Sequence, residues 1–232
     1  MNTLAFDTCF GACSVAATWS LPEGVGRAFR FERMVRGHAE RLLPMVAEAM
    51  AEAPFAFSEI ERIVVTTGPG TFTGQRVGIA AARAFSLATG APVAPLSSLE
   101  VMAHTAAHEL GAEATGKTLA AAVDARRDEI YVQAFAGPEW TALDAPALLT
   151  PDVAVRMLEG RDVLAVGSGA GLLAEAGRNA GVAVAARLAA LEPDIRFVPE
   201  AAIVLSKMPP KPLYLRPPDA KPQDGKSLAR VP

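Results

Sequence analysis

Arg62-Ile63-Val64-Val65-Thr66-Thr67-Gly68-Pro69-Gly70-Thr71-Phe72-Thr73-Gly74-Gln75-Arg76 is the stretch that decides the fold. Its first part, Arg62 to Thr66, is short, apolar and rich in β-branched residues, which predicts a buried strand. Gly68-Pro69-Gly70 predicts a tight turn. A helix is expected from about Thr73 to Ala88, with Gly90 as its stop, because a helix C-terminus favours a residue that accepts left-handed backbone. Strand, glycine loop and helix in that order make one unit of a parallel α/β sheet. The glycines let another group approach the backbone, and a helix N-terminus favours an anion. No Gly-Lys-[Ser/Thr] follows, so this is not a Walker A loop. Tight turning explains the glycines as well as phosphate binding does.

Working upstream, residues 3–7 and 14–20 predict two strands of a hairpin, with Gly11 supplying a permissive φ in the turn between them. Residues 26–35 predict a third strand, at an edge. A helix opens near His38, and Leu42, Leu43, Val46 and Met50 form its apolar stripe until Pro54 ends it. Working downstream, residues 92–96 predict a strand, and Ser97 and Glu100 stand at capping-box spacing on the next helix. After a composition break at 111–116, strands are expected at 119–124 and 129–136. A helix follows at 151–158, with Thr150 as N-cap and Pro151 at the first turn. A strand at 162–166 leads into Gly167-Ser168-Gly169-Ala170-Gly171, and helices are expected at 172–179 and 199–207. The second half thus repeats a rougher version of the first. The fold class implied is two-lobed α/β, divided as 1–112, 113–208 and an extended tail 209–232. Leu213, Tyr214 and Leu215 predict that the tail is partly docked; 222–232 read as disordered.

Composition narrows the function. Of 232 residues, 51% are hydrophobic and 20% charged, which excludes global disorder. Lys+Arg number 22 against 25 Asp+Glu, a net charge of −3, which argues against autonomous nucleic-acid binding through phosphates. The only cysteines, Cys9 and Cys13, face each other across a short turn without C-x-x-C spacing, so they imply a reducing cytosol and neither a disulfide framework nor a redox pair. The most apolar region, 77–96, is broken by Arg83 and Gly90, and the N-terminus lacks a basic leader, so a cytoplasmic chain without a membrane span is expected.

Three constellations could carry chemistry. Asp7 and Asp124 each end a strand before a turn, where two-lobed phosphotransferases of the actin and Hsp70 type place a Mg²⁺-associated carboxylate. Cys9 and Phe10 follow Asp7 where small residues would serve better, and the Ala125-Arg126-Arg127-Asp128 turn has no glycine. Gly167 to Gly171 could face an adenosine or could simply connect strand to helix. His104 and His108 stand at i, i+4 on one helix, a spacing that can chelate a metal, but the Glu of H-E-x-x-H is absent. Two incidental histidines on a solvated face explain them more simply.

Five segments together resemble the TsaB (YeaZ) family. These are Leu4-Ala5-Phe6-Asp7-Thr8 with Cys13-Ser14-Val15-Ala16, His38-Ala39-Glu40-Arg41-Leu42-Leu43-Pro44, Gly68 to Gly78, Val123-Asp124-Ala125-Arg126, and Pro212-Leu213-Tyr214-Leu215-Arg216. The resemblance implies the two-lobed actin/Hsp70-like (ASKHA, RNase H-like) fold. It implies a non-catalytic subunit that pairs with a TsaD-like catalytic subunit. With a TsaE-like ATPase, that pair moves a threonylcarbamoyl group to N6 of adenosine 37 in tRNAs reading ANN codons. No cofactor is expected on this chain alone; ATP or ADP would sit at the TsaD interface, tRNA would be met through the complex, and a homodimer is the other assembly allowed. TsaD-like chains carry a His-x-x-x-His metal pair whose register here falls on Ser98 and Met102, so no metal is expected. His104 and His108 lie six residues further on, about 240° round the helix from those positions.

The partner surface expected from the apolar stripes is Leu42, Leu43, Val46 and Met50 on the first helix and Arg76, Val77, Ile79, Ala80 and Arg83 on the second. Asp7, Gly68, Gly70 and Asp124 are expected as positions of a degenerate nucleotide site. Two competing readings remain: an autonomous ATPase or kinase of the same fold, using Asp7 and Asp124, and a metallohydrolase built on His104 and His108.

Overall fold

The computed structural model describes residues 1–206 and 208–216. Two mixed sheets carry the chain, each flanked by helices. The first contains β1 (Thr3–Asp7), β2 (Ala12–Leu21), β3 (Gly24–Arg33), β4 (Arg62–Thr66) and β5 (Val93–Leu96) in the order β3-β2-β1-β4-β5. β1 to β3 pair antiparallel, whereas β4 and β5 join parallel. Their crossover is α2 (Phe72–Thr89), capped by the Thr71 side chain, which accepts from the Gly74 N–H, and stopped by Gly90 at φ +75°. Before it, α1 (His38–Glu52) lays Leu42, Met45, Val46, Ala49 and Met50 on this sheet, in one core with Leu4, Phe6, Val15, Ile63 and Val65. β3 is the edge strand, as expected, and α1 holds it by ion pairs: Arg41 binds Glu32 and Glu48, and Arg30 binds Glu48 and Glu52.

The second sheet repeats the plan more briefly. β6 (Thr118–Asp124), β7 (Ile130–Ala136), β8 (Thr141–Ala142), β10 (Val163–Val166) and β11 (Val184–Arg187) run in the order β11-β10-β6-β7-β8, and β9 (Ala147–Leu149) also pairs with β7. α4 (Pro151–Arg156) and α5 (Ala170–Ala180) cover one face. Between the sheets lies α3 (Ser98–Leu110). Val101 packs with Ala5, Ala16 and Val64 of the first sheet, while Leu99, Met102 and Ala106 pack with Leu119, Phe135 and Val166 of the second.

After β11 the chain returns to the first sheet. Ile195 enters its core, its N–H donating to the Ser14 hydroxyl at 3.1 Å, and Arg62 pairs with Glu200. The helix expected at 199–207 is absent among its described residues: only Glu200–Ala202 turns, as a 3-10 turn. The edge of β5 takes the chain instead, because the Ser206 N–H donates to the Val93 carbonyl at 3.3 Å. Residue 207, like the expected disordered end at 222–232, lies outside the described residues.

Other expectations are corrected. Gly11 does not adopt positive φ; a Cβ there would stand 2.6 Å from Glu192 Oε1, so the carboxylate and not the backbone conformation is what a side chain would disturb. Thr150 caps α4 in position only, without a side-chain hydrogen bond. No described helix is long and apolar enough to cross a membrane.

Candidate functional site

Asp7 and the Gly68–Gly74 loop, expected as parts of a degenerate nucleotide site, lie where β1 and β4 end side by side. Parallel pairing brings the β1–β2 turn against the Gly68–Gly74 loop, where a two-lobed phosphotransferase would need room for phosphate. Here the two segments bond to each other. The Thr71 N–H donates to the Cys9 carbonyl at 2.8 Å, and the Thr8 hydroxyl donates to the Gly74 carbonyl at 2.7 Å. A Cβ on Gly70 would stand 2.5 Å from the Cys9 carbonyl oxygen, and one on Gly74 would stand 2.0 Å from that of Thr8. The glycines therefore serve close approach of two loops.

Asp7, at the end of β1, does not reach solvent. Its carboxylate is fully buried, accepting from the Thr66 hydroxyl at 2.5 Å and the Cys9 N–H at 3.3 Å. Burial outweighs these bonds and pushes its pKa up to about 7. Cys9 is buried beside it, its thiol donating to Thr66 Oγ1 at 3.3 Å and pushed well above its ordinary pKa by burial and by Asp7. Cys13 turns into the first core, where burial raises it to about 12, so neither thiol is a ready nucleophile.

Asp124, the sequence counterpart of Asp7, lies in a different environment. It is half-buried and accepts from the Arg126 N–H at 2.8 Å and the Arg126 guanidinium at 3.2 Å. Arg126, Arg127 and Asp128 all take positive φ, at 65°, 58° and 58°, so this turn lacks the glycines its geometry favours. Arg216 holds it, donating to the Ala125 carbonyl at 2.8 Å and to the Glu129 carboxylate at 2.6 Å. Gly167 and Gly169 lie against the backbone of Ala122 and Val123, which makes them packing glycines of the second sheet.

The positions in register with the metal pair are filled. Ser98 is buried and donates to the Pro69 carbonyl; Met102 is buried, with its Cε where a Cβ on Gly167 would stand. Among the described residues no cluster of three or more His, Cys, Asp or Glu could hold a metal. The histidines depart from a shared solvated face: His104 is buried, whereas exposed His108 stacks on Phe197 at 4.1 Å.

The structure divides the expected partner surface. Leu42, Val46 and Met50 are buried in the chain's own core, and Ile79 is buried too, so these four face inward. Val77 is half-buried against the same core. Leu43, Arg76, Ala80 and Arg83 are exposed, joined by Pro44, Ala47 and Ala51 on α1 and by Ala84 and Leu87 on α2. Sequence reasoning left out those last five, although 43, 44, 47 and 51 form an i, i+1, i+4, i+8 stripe of their own. The returning tail grips the margin of this surface. Arg76 Nε donates to the Tyr214 hydroxyl at 2.7 Å, Arg83 donates to the Pro210 carbonyl at 2.6 Å, and Phe72 stacks on Tyr214.

Comparison with known proteins gives the family. The family model described as "TsaD: tRNA N6-adenosine threonylcarbamoyltransferase" matches residues 32–147. The tRNA threonylcarbamoyladenosine biosynthesis protein TsaB of Escherichia coli is 33% identical over 78% of this chain and 78% of its own length. That of Haemophilus influenzae is 31% identical over 73% and 72%. The solved structure of YeaZ from Pseudomonas aeruginosa superposes with a TM-score of 0.73 at 31% identity, covering 92% of this chain and 99% of that one. With the two-sheet fold and the closed glycine loop in place, these matches establish that the chain belongs to the TsaB (YeaZ) family of tRNA threonylcarbamoyladenosine biosynthesis proteins.

Proposed function

We propose that this chain is a cytoplasmic, non-catalytic subunit of the machinery that transfers a threonylcarbamoyl group to adenosine 37 of tRNA, acting by pairing with a TsaD-like catalytic subunit. The single observation that carries the reading is the closed loop: Gly70 and Gly74 press against the carbonyls of Cys9 and Thr8, leaving no cradle for phosphate. Buried Asp7 bonds to Thr66 and is no ligand for a solvated Mg²⁺, which counts against the autonomous ATPase.

The pairing surface is the outward face of α1 and α2. Leu43 and Ala47 on one helix, and Ala80 and Ala84 on the other, are small or apolar enough to let a partner's helix pair approach closely. Arg76 and Arg83 form a polar margin. A match to the TsaD family model supports a related chain as partner, since related lobes offer equivalent helices to each other. Nucleotide, the TsaE-like ATPase and tRNA are met only in that assembly.

Reconstituted modification tests this. With TsaD-like and TsaE-like subunits, tRNA threonylcarbamoylation is expected to require this chain and to survive Asp7→Asn. Loss of modification with Asp7→Asn, in a protein that still pairs with its partner, would assign chemistry to Asp7 and reverse the reading.

A further inference from the structure

On the side of α3 away from the closed loop, a cavity of about 550 Å³ opens between the helix, the segment from Pro138 to Ala142 and the returning chain from Pro199 to Val204. Cavities of this size suit small organic ligands. Glu100 and His104 line it one helical turn apart, and Glu139, Trp140 and Thr141 line it from the hairpin end. Nothing in the pairing surface or the closed loop uses these groups.

His104 is the informative residue. It is only 6% exposed, it lines the cavity, and its ring has no hydrogen-bond partner among the described residues. Among the described residues the one fully buried side-chain polar atom without a hydrogen bond is Gln75 Oε1, so the His104 nitrogens open onto the cavity and are available to a ligand there. The charges say what kind. The lining holds two carboxylates and no lysine or arginine. Burial raises the Glu100 pKa and lowers that of His104, so a cation beside Glu100 would offset the cost of its buried charge while the imidazole offers a neutral acceptor. A metal fits poorly, because no suitable cluster of three ligands exists among the described residues.

We infer that this cavity binds a small organic amine as its ammonium ion, received by Glu100 and His104, with its carbon body against Trp140 and Pro199. An ammonium group has three donors, and the wall supplies a carboxylate, an imidazole nitrogen and the Thr141 hydroxyl. The indole adds attraction for a cation and area for methylene or aromatic groups.

The probe is benzylamine, compared on the full chain with benzyl alcohol and benzoate, which keep the ring and remove or reverse the charge. Only 3 histidines occur, so the imidazole proton resonances can be followed singly. His38, bonded to the Phe10 carbonyl at 3.0 Å, serves as internal reference. Benzylamine is expected to shift the His104 resonance saturably while the alcohol and benzoate do not, and Glu100→Gln is expected to weaken binding about tenfold. No saturation by about 10 mM benzylamine, or equal shifts from all three compounds, would overturn the assignment. The three-compound comparison uses the unaltered protein, so it stands even if a variant folds badly.

Discussion

At the residue scale the decisive facts are carbonyl oxygens. Glycines between a strand and a helix signal close approach, and the sequence could not say what approaches. Here it is the β1–β2 turn, through Cys9 and Thr8, and the two residues already out of place for a phosphate turn, Cys9 and Phe10, were the legible hint. Glu192, whose carboxylate accepts from the Gly11 N–H at 2.9 Å, was not legible, because 181 residues separate the partners. Gly74→Ala is expected to lower unfolding free energy by about 2 kcal/mol or more, since its Cβ meets backbone and not a movable side chain. Urea denaturation reads this, and an unchanged midpoint would mean the loops are not in contact.

Asp7 gives a pH prediction. Its folded pKa of about 7 lies above the ordinary 3.8, so the folded state holds the extra proton. The contribution is full below the ordinary value and is lost as pH rises towards 7. Raised Glu100, Glu192 and Asp194 act with the same sign; lowered Glu32, Glu48 and Glu52 act only under acid conditions. From about pH 5.5 to 8 the Asp7 contribution is worth on the order of 2 kcal/mol. Asp7→Asn is expected to remove that part of the decline, as measured by urea unfolding at both pH values.

At the element scale, α1 shows what periodicity can and cannot fix. Leu42 and Leu43 are adjacent, about 100° apart on the helix, and both fit a broad apolar stripe. Only the position of β2 and β3 decides that Leu42 turns inward and Leu43 outward. Leu42→Ala is expected to cost about 2–5 kcal/mol of stability. Leu43→Asp, on the exposed face, is expected to leave thermal stability nearly unchanged and to weaken pairing with the TsaD-like subunit. Equal stability losses would mean that both leucines are core. The elements β1, β4, α1 and α2 were legible because strong patterns and clear stops bound them. β8, 2 residues long, was too short to show a pattern, β11 was missed, and the run read as helical from 199 instead makes one 3-10 turn and then bonds to the edge of β5 through Ser206.

At the scale of the whole molecule, the fold is two versions of one strand order, bridged by α3 and tied by a chain that returns from β11 across the first sheet. Repetition of hairpin, helix and strand made the two-lobed class legible from the sequence. The return crossing was not, because its anchors (Ser14, Arg62, Val93 and Thr67) lie far away in the chain. The returning segment then reaches the margin of the exposed α1–α2 face through Pro210 and Tyr214. The measurement that tests the central claim most directly is light scattering coupled to size-exclusion chromatography, on this chain alone and mixed with the TsaD-like subunit of the same organism. A stable one-to-one complex that Leu43→Asp disrupts is the predicted result. Separate elution of two unaltered folded chains, with or without ATP and Mg²⁺, would contradict it.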